Sequence, residues 1–200
     1  DATFTTPRPA GMTDEVHFKE CCKWADEHAQ LAAARGTALH GSIEQHIHGK
    51  TVTPEHFNHV NKVEIELEKV GIPLLHGKAE HSFAHPDGYG GKVDAHGVDW
   101  IVDFKSKAAI DDTKQLAWDE HICQLAAYRH GLRLPVDSRC LNVFVGLDDC
   151  RVVIVEHTAA QLARGLEMFN LCLAMWCLQK NFTPGQMELS VSDKLDKAGL

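Results

Sequence analysis

The sequence predicts an α/β domain in which one mixed β-sheet is flanked by helices. Its core order is helix, three strands, helix, strand (αβββαβ), with additional helices at the N- and C-terminal ends. Three observations lead there. Apolar residues recur at helical spacing before Val70, as in Leu39, Ile43 and Ile47 at i, i+4 and i+8. The pattern then changes to strand-like segments between Leu74 and Lys105. Beyond them, one helical stretch leads to the nearly all-apolar Leu141 to Val145, which suits a strand buried inside a sheet. Helices before and between strands imply layers around one core.

Residues 1–12, with Pro7, Pro9 and Gly11, read as an irregular opening segment. Thr13 can cap a helix running to about Ala34, with apolar positions at Val16, Cys21, Trp24 and Leu31. Arg35-Gly36-Thr37 marks a break or a close approach, followed by a second helical stretch from Ala38 to His48. Thr53 and Pro54 place a cap and a first-turn proline ahead of a helix to Val70, and Gly71 ends it. Three strands follow, Leu74 to Phe83, Lys92 to His96 and Val98 to Lys105. Pro86-Asp87-Gly88 and His96-Gly97 sit at the turns, so the three form an antiparallel meander. Gln115 to His130 is a helix with Trp118, Ile122, Leu125 and Ala126 as its apolar stripe, stopped by Gly131. After the Leu141 to Val145 strand, Asp148-Asp149 turns the chain into Arg151 to Val155, and Thr158 caps a helix to about Gln179. The whole reads as a single domain, with its core at 36–156, a C-terminal helix at 158–180 and a polar tail at 181–200. No internal repeat or low-complexity tract interrupts it.

An apolar fraction of 44% and a charged fraction of 24% over 200 residues are those of a globular domain with a sizeable core. The net charge of −8 has the wrong sign for a nonspecific nucleic-acid coat. It is compatible with an acidic site neutralised by cations. Seven cysteines, an odd number without a Cys-x-x-Cys pair, read as mostly reduced, buried thiols of an intracellular, cytoplasmic protein. The longest apolar stretch, Gly165 to Leu178, is broken by Glu167 and Asn170 and is too short to span a membrane, and no signal peptide is visible.

The chemistry concentrates between Asp94 and Lys105. Asp103 and Lys105 are two apart on a strand and share a face, while Val102 and Phe104 point into the core. Asp94 precedes the tight turn on the neighbouring strand, and Glu80 lies on the strand before. Carboxylates gathered this closely repel one another unless a cation sits between them. Oxygen ligands of this kind suit Mg²⁺ or Mn²⁺. Such an ion lowers the pKa of bound water and offsets charge on a phosphodiester, and Lys105 can hold the water or stabilise the transition state. The bland alternative for Asp-x-Lys alone is a surface salt-bridge ladder.

The array resembles the PD-(D/E)XK nuclease superfamily, in particular its RecB-like exonuclease branch of phage and bacterial type. The motifs that carry the resemblance are Gly36-Thr-Ala-Leu-His40, Glu80, Gly91-Lys-Val-Asp94 (a loose match), Asp103-Phe-Lys105 and Gln124-Leu-Ala-Ala-Tyr128, in the family's order across about Arg35 to His130. The resemblance implies a restriction-endonuclease-like fold, one or two divalent ions, and cleavage of single- or double-stranded DNA, most often from an end. It implies that His40, Asp94, Asp103 and the Phe104 carbonyl ligate metal, and that Lys105 is the catalytic lysine. Glu80 would bind a second ion or position water, and Gln124 and Tyr128 would hold the strand.

Several expectations surround this reading. His40, Glu44 and His48 share a helix face, but no zinc signature accompanies them. Some RecB-like nucleases hold an iron–sulfur cluster; here Cys172 and Cys177 sit inside an apolar helix, and no cluster is expected. Lys105, Lys107 and Lys114, with Arg129, His130 and Arg133, could flank the site and contact phosphates, or be solvated runs. The face formed by Leu162, Leu166, Phe169, Leu173 and Trp176 is core or a subunit interface. A homo-oligomer, or a recombination or replication partner, is compatible with the sequence. The function expected is exonuclease in DNA recombination, repair or replication. The alternatives are a structure-specific or single-strand endonuclease on the same fold, and a noncatalytic nucleic-acid-binding module.

Overall fold

The computed structural model describes residues 7–184. Residues 1–6 and 185–200, which include most of the expected tail and part of the opening segment, lie outside the described residues. The elements are α1 (Asp14–Ile47), α2 (Phe57–Lys69), β1 (Lys78–His85), β2 (Tyr89–His96), β3 (Trp100–Lys107), α3 (Asp119–Gly131), β4 (Arg139–Gly146), β5 (Val152–Glu156) and α4 (Ala159–Lys180).

The five strands form one sheet in the order β1-β2-β3-β4-β5. β1, β2 and β3 form the expected antiparallel meander, β3 and β4 are parallel, and β4 and β5 are antiparallel. The parallel pair requires a crossover, and α3 supplies it. One face of the sheet packs Val102, Phe104, Val143 and Val145 against Leu39, Ile43 and Ile47 of α1 and Val60, Val63 and Leu67 of α2. The other packs Val93, Ile101 and Cys140 against Leu125 and Ala126 of α3 and Leu162 of α4. The result is a mixed sheet between helical layers, with the αβββαβ core order and additional N- and C-terminal helices, consistent with a restriction-endonuclease-like fold. Covered on both faces, β4 is buried from Cys140 to Gly146, which explains its nearly unbroken apolar run.

Several boundaries differ from the sequence reading. The two early helices are one, α1, which passes through Gly36 without a break. The glycine marks the close approach instead: a Cβ there would lie 2.6 Å from the Ser106 Oγ of β3. Thr13 caps the helix, accepting from the Val16 N–H at 3.4 Å. Only the second half of α1 lies on the sheet; Val16, Trp24 and Leu31 are exposed, and Cys21 alone of the four expected apolar positions is buried. The next helix begins at Phe57 rather than at Pro54, and residues 54–56 form a turn. It gives out at Lys69, with Gly71 at φ 76 as the stop.

Leu74–His76 is a short 3-10 turn, so β1 starts at Lys78. Pro86, Asp87 and Gly88 make the first hairpin loop, where Gly88 at φ 87 supplies the left-handed position. β2 begins at Tyr89 and β3 at Trp100, leaving Val98 exposed in the second turn. The crossover helix is shorter than expected, because Gln115 to Trp118 are not helical, and Trp118 is exposed rather than part of the apolar stripe. Thr158 and Gln161 form a reciprocal capping box at the start of α4. On that helix Leu162 is buried, but Trp176 is exposed, so its apolar face is core only in its first half. All seven cysteines are free, and only Cys21 and Cys140 are buried, fewer than the sequence suggested. No helix among the described residues is long and apolar enough to cross a membrane.

Candidate active site

The site forms where β2 and β3 part. Their pairing holds at Ala95↔Val102 and His96↔Ile101 and goes no further. Beyond it, the Phe104 N–H would have no partner strand. The Asp94 carboxylate takes that place, its Oδ2 accepting from the Phe104 N–H at 2.8 Å. The opposite neighbour is also irregular. β1 and β2 pair at Ala79↔Ala95 and His81↔Val93, but not at Glu80 and Asp94 between them. Glu80 sits at φ 52, in the left-handed region that costs a side chain with a Cβ about 1–2 kcal/mol. That kink re-aims the Glu80 carboxylate, and the surrounding pairs hold it in place.

His40 reaches the same point from α1, one turn after Gly36. Its Nδ1 lies 3.5 Å from Asp94 Oδ2, and its ring meets that of Phe104 edge-on. One ligand atom from each of His40, Glu80 and Asp94 lies within 4.8 Å of the others. His40 and Glu80, together with Gly36, Thr37, Phe104, Lys105 and Ser106, line a cleft of about 440 Å³. Lys92 forms an ion pair with Glu80 at its edge. Burial alone would lower the His40 pKa; the hydrogen bond and charge of Asp94, with Asp103 and Glu80, outweigh it and leave the pKa raised.

Asp103 is 2% exposed. Burial, and then the charge of Asp94, push its carboxyl up to about 6, while Lys105 and His40 oppose them. Lys105 Nζ lies 2.9 Å from Asp103 Oδ2 and 3.2 Å from Oδ1, and donates to Gln124 Oε1 at 3.0 Å. Gln124 Nε2 in turn donates to the Tyr128 hydroxyl at 2.9 Å, the contact expected of residues one turn apart on α3. Burial raises the Tyr128 pKa. Behind Asp103, the Asn142 amide donates to Oδ2 at 2.8 Å, and His157 Nε2 lies 2.7 Å from Asn142 Oδ1.

The structure thus brings together His40, Glu80, Asp94, Asp103, Phe104, Lys105, Gln124 and Tyr128. Among them, the donor set of His40, Glu80 and Asp94 fits a hard divalent cation: two carboxylates and one imidazole, half-buried and carrying excess negative charge. Lys107, at the end of β3, is exposed on the Lys105 side by strand alternation. Arg129 does not join the site. It is buried, and its guanidinium donates to the Val136 carbonyl at 2.6 Å, bracing the end of α3. Lys114 is exposed and paired with Asp111. The possible zinc face on α1 is not a cluster, because His40 turns to Asp94 while His48 pairs with Glu44 at 3.8 Å. The sequence reading missed Ser106, Asn142 and His157. Asn142 carried a signal, as the single polar residue in an apolar strand; His157 and Ser106 carried none.

No protein-family model matches the chain, and no curated protein matches it. Among solved structures, a provisionally named exonuclease from Eubacterium rectale is similar to it, with 14% identity and a TM-score of 0.48 over 74% of this chain and 69% of that one. That likeness is too slight to carry an argument about chemistry.

Proposed function

We propose that the chain is a divalent-metal-dependent deoxyribonuclease that hydrolyses phosphodiester bonds, acting on DNA ends. The observation that carries this reading is the placement of Lys105, held between Asp103 and Gln124 at the cleft that His40 and Glu80 line, with Asp94 grouped beside them. A salt-bridge ladder has no use for a buried aspartate with a raised pKa, nor for a strained glutamate and a histidine gathered around it. The preference for ends rests on the order of the motifs, which resembles that of RecB-like exonucleases.

His40, Glu80, Asp94, Asp103 and the Phe104 carbonyl would hold Mg²⁺ or Mn²⁺. When bound, such an ion supplies positive charge to a phosphate oxygen and lowers the pKa of water. Lys105 orients the attacking water and stabilises negative charge as it gathers on the nonbridging oxygens. The water oxygen bonds to phosphorus while the bond to the leaving oxygen breaks; the water proton passes to solvent or to a nearby carboxylate, and the leaving oxygen takes a proton from solvent water. Gln124 orients Lys105, and Gln124 and Tyr128 together border the path of the strand, with Lys107 able to contact a phosphate. A net charge of −8 gives little long-range attraction for DNA, so the grip is local.

The test uses end-labelled linear DNA and covalently closed circles, with Mg²⁺ or Mn²⁺, and with EDTA and Lys105→Ala as controls. Metal-dependent loss of linear DNA, absent in EDTA and reduced at least about 100-fold by Lys105→Ala, is expected from the loss of a charge-stabilising group. Equal activity of the variant would sink the mechanism. Rapid nicking of circles would replace end-trimming with endonuclease action, and binding without cleavage would point to a noncatalytic module.

A further inference from the structure

We propose that Asn142 and His157 are positioning residues that lock the Asp103 carboxylate for divalent-metal binding. The inference rests on the metal-dependent reading above and deepens it. Asn142 lies directly opposite Asp103 in the parallel β3–β4 register. Its neighbours Leu141, Val143, Phe144 and Val145 are fully buried and apolar. An amide in such a strand is costly unless both of its ends are satisfied. Both are: Nδ2 donates to Asp103 Oδ2, and Oδ1 faces His157 Nε2.

The chemistry fixes every orientation in this chain. Once ionised, the Asp103 carboxylate only accepts, so the NH₂ end of Asn142 faces it. The amide oxygen then faces His157, so Nε2 of the imidazole carries the hydrogen. The His157 backbone N–H donates to the Cys140 carbonyl at 3.0 Å, anchoring the residue to β4 just before the Thr158 cap of α4. Exposure along the chain is 5% at His157, 0% at Asn142 and 2% at Asp103, so water cannot substitute for any link. With Oδ2 held by Asn142 from behind as well as by Lys105, the Asp103 carboxyl cannot turn about its own axis. A valine at 142 would satisfy the core equally well; what the amide adds is the fixed orientation of one carboxylate. Partners of this kind, one layer behind a metal ligand, typically govern affinity by about 10–100-fold.

The test is calorimetric titration of the full chain with Mn²⁺, alongside urea unfolding of the same proteins in EDTA. Asn142→Leu removes the amide at similar volume, and His157→Leu removes the donor behind it. His157→Gln keeps an N–H that can reach Asn142 Oδ1. Asn142→Leu and His157→Leu are expected to weaken Mn²⁺ binding about 10–100-fold. His157→Gln is expected to bind close to wild type, which a loss of packing alone would not produce. Should Asn142→Leu fail to fold, the His157 pair decides the matter. Lower stability with unchanged Mn²⁺ affinity in the leucine variants would make the residues merely structural and overturn the inference. A wild type that binds no Mn²⁺ would overturn the metal reading and the inference together, an outcome distinct from a wild type that binds and variants that match it.

Discussion

Replacing Asp103 by asparagine should make the protein more stable relative to wild type as pH rises. Asp103 is 2% exposed, and its carboxyl is pushed from an ordinary 3.8 up to about 6, first by burial and then by Asp94. An acid whose pKa is raised on folding binds its proton more tightly in the folded state. Its contribution to stability is therefore fully present below 3.8 and is lost as pH rises through about 6. Within that window the loss runs at about 1.4 kcal/mol per pH unit, and in total it amounts to about 3 kcal/mol. The amide of the Asp103→Asn variant does not titrate. Urea unfolding of both proteins in EDTA, at half-unit steps from pH 4 to pH 7.5, isolates the group as a difference. His40, whose raised pKa gives stability that fades as pH rises through that value, titrates in both proteins, and only the part of its shift that the Asp103 charge supplies enters the difference. The wild type minus variant difference should fall by about 2.5 kcal/mol from the acid to the neutral end. A difference constant to within about 0.5 kcal/mol would refute the claim that burial dominates this carboxylate.

Other perturbations separate stability from site chemistry. Glu80→Gly removes the left-handed strain at φ 52 together with a candidate ligand; urea unfolding should show stability unchanged or raised by about 1 kcal/mol, while Mn²⁺ affinity measured by calorimetry falls. Asp94→Ala orphans the Phe104 N–H and should cost about 1–3 kcal/mol in urea unfolding. Asp94→Asn keeps an acceptor there and should cost less, yet lose as much Mn²⁺ binding. Thr158→Ala breaks the capping box of α4 and should cost about 1 kcal/mol in thermal or urea unfolding, leaving Mn²⁺ affinity unchanged.

The legible parts of the fold are those governed by local rules. Thr13 and Thr158 cap helices because a short hydroxyl satisfies a first-turn N–H wherever it stands. Gly71 and Gly88 mark a stop and a turn because each takes a left-handed backbone that suits glycine. The β1–β2–β3 meander and the buried β4 follow from alternation and from an apolar run. What was illegible depends on which surfaces meet. Gly36 was open to two readings, a break or a close approach. The i to i+4 ladder runs on through it, and the choice depends on Ser106, 70 residues later. Arg129 looked like a surface cation, yet the Val136 carbonyl gives a buried guanidinium its partner. The exposed Val16, Trp24 and Leu31 show the opposite error, since helical spacing says that a face is apolar but not that anything covers it.

The same division holds at the candidate site, and it locates the chemistry physically. The residue types and their order were readable, but the geometry comes from three departures from regular structure: a ladder that stops after two pairs, a glutamate at φ 52 and a carboxylate buried inside a sheet. Each costs stability, and none follows from periodicity, because periodicity encodes the regular structure from which they depart. They cluster because they depend on one another. Parting β2 from β3 opens the cleft but strands the Phe104 N–H, which Asp94 then satisfies. The kink at Glu80 brings a second carboxylate beside Asp94, and the charge of Asp94 helps to raise the pKa of Asp103. Regular pairing through this region would relieve each cost at once. It would also return Asp94 and Glu80 to opposed positions in the ladder and close the cleft that His40 and Lys105 share, so the stability given up here is tied to the geometry that a bound cation would recover.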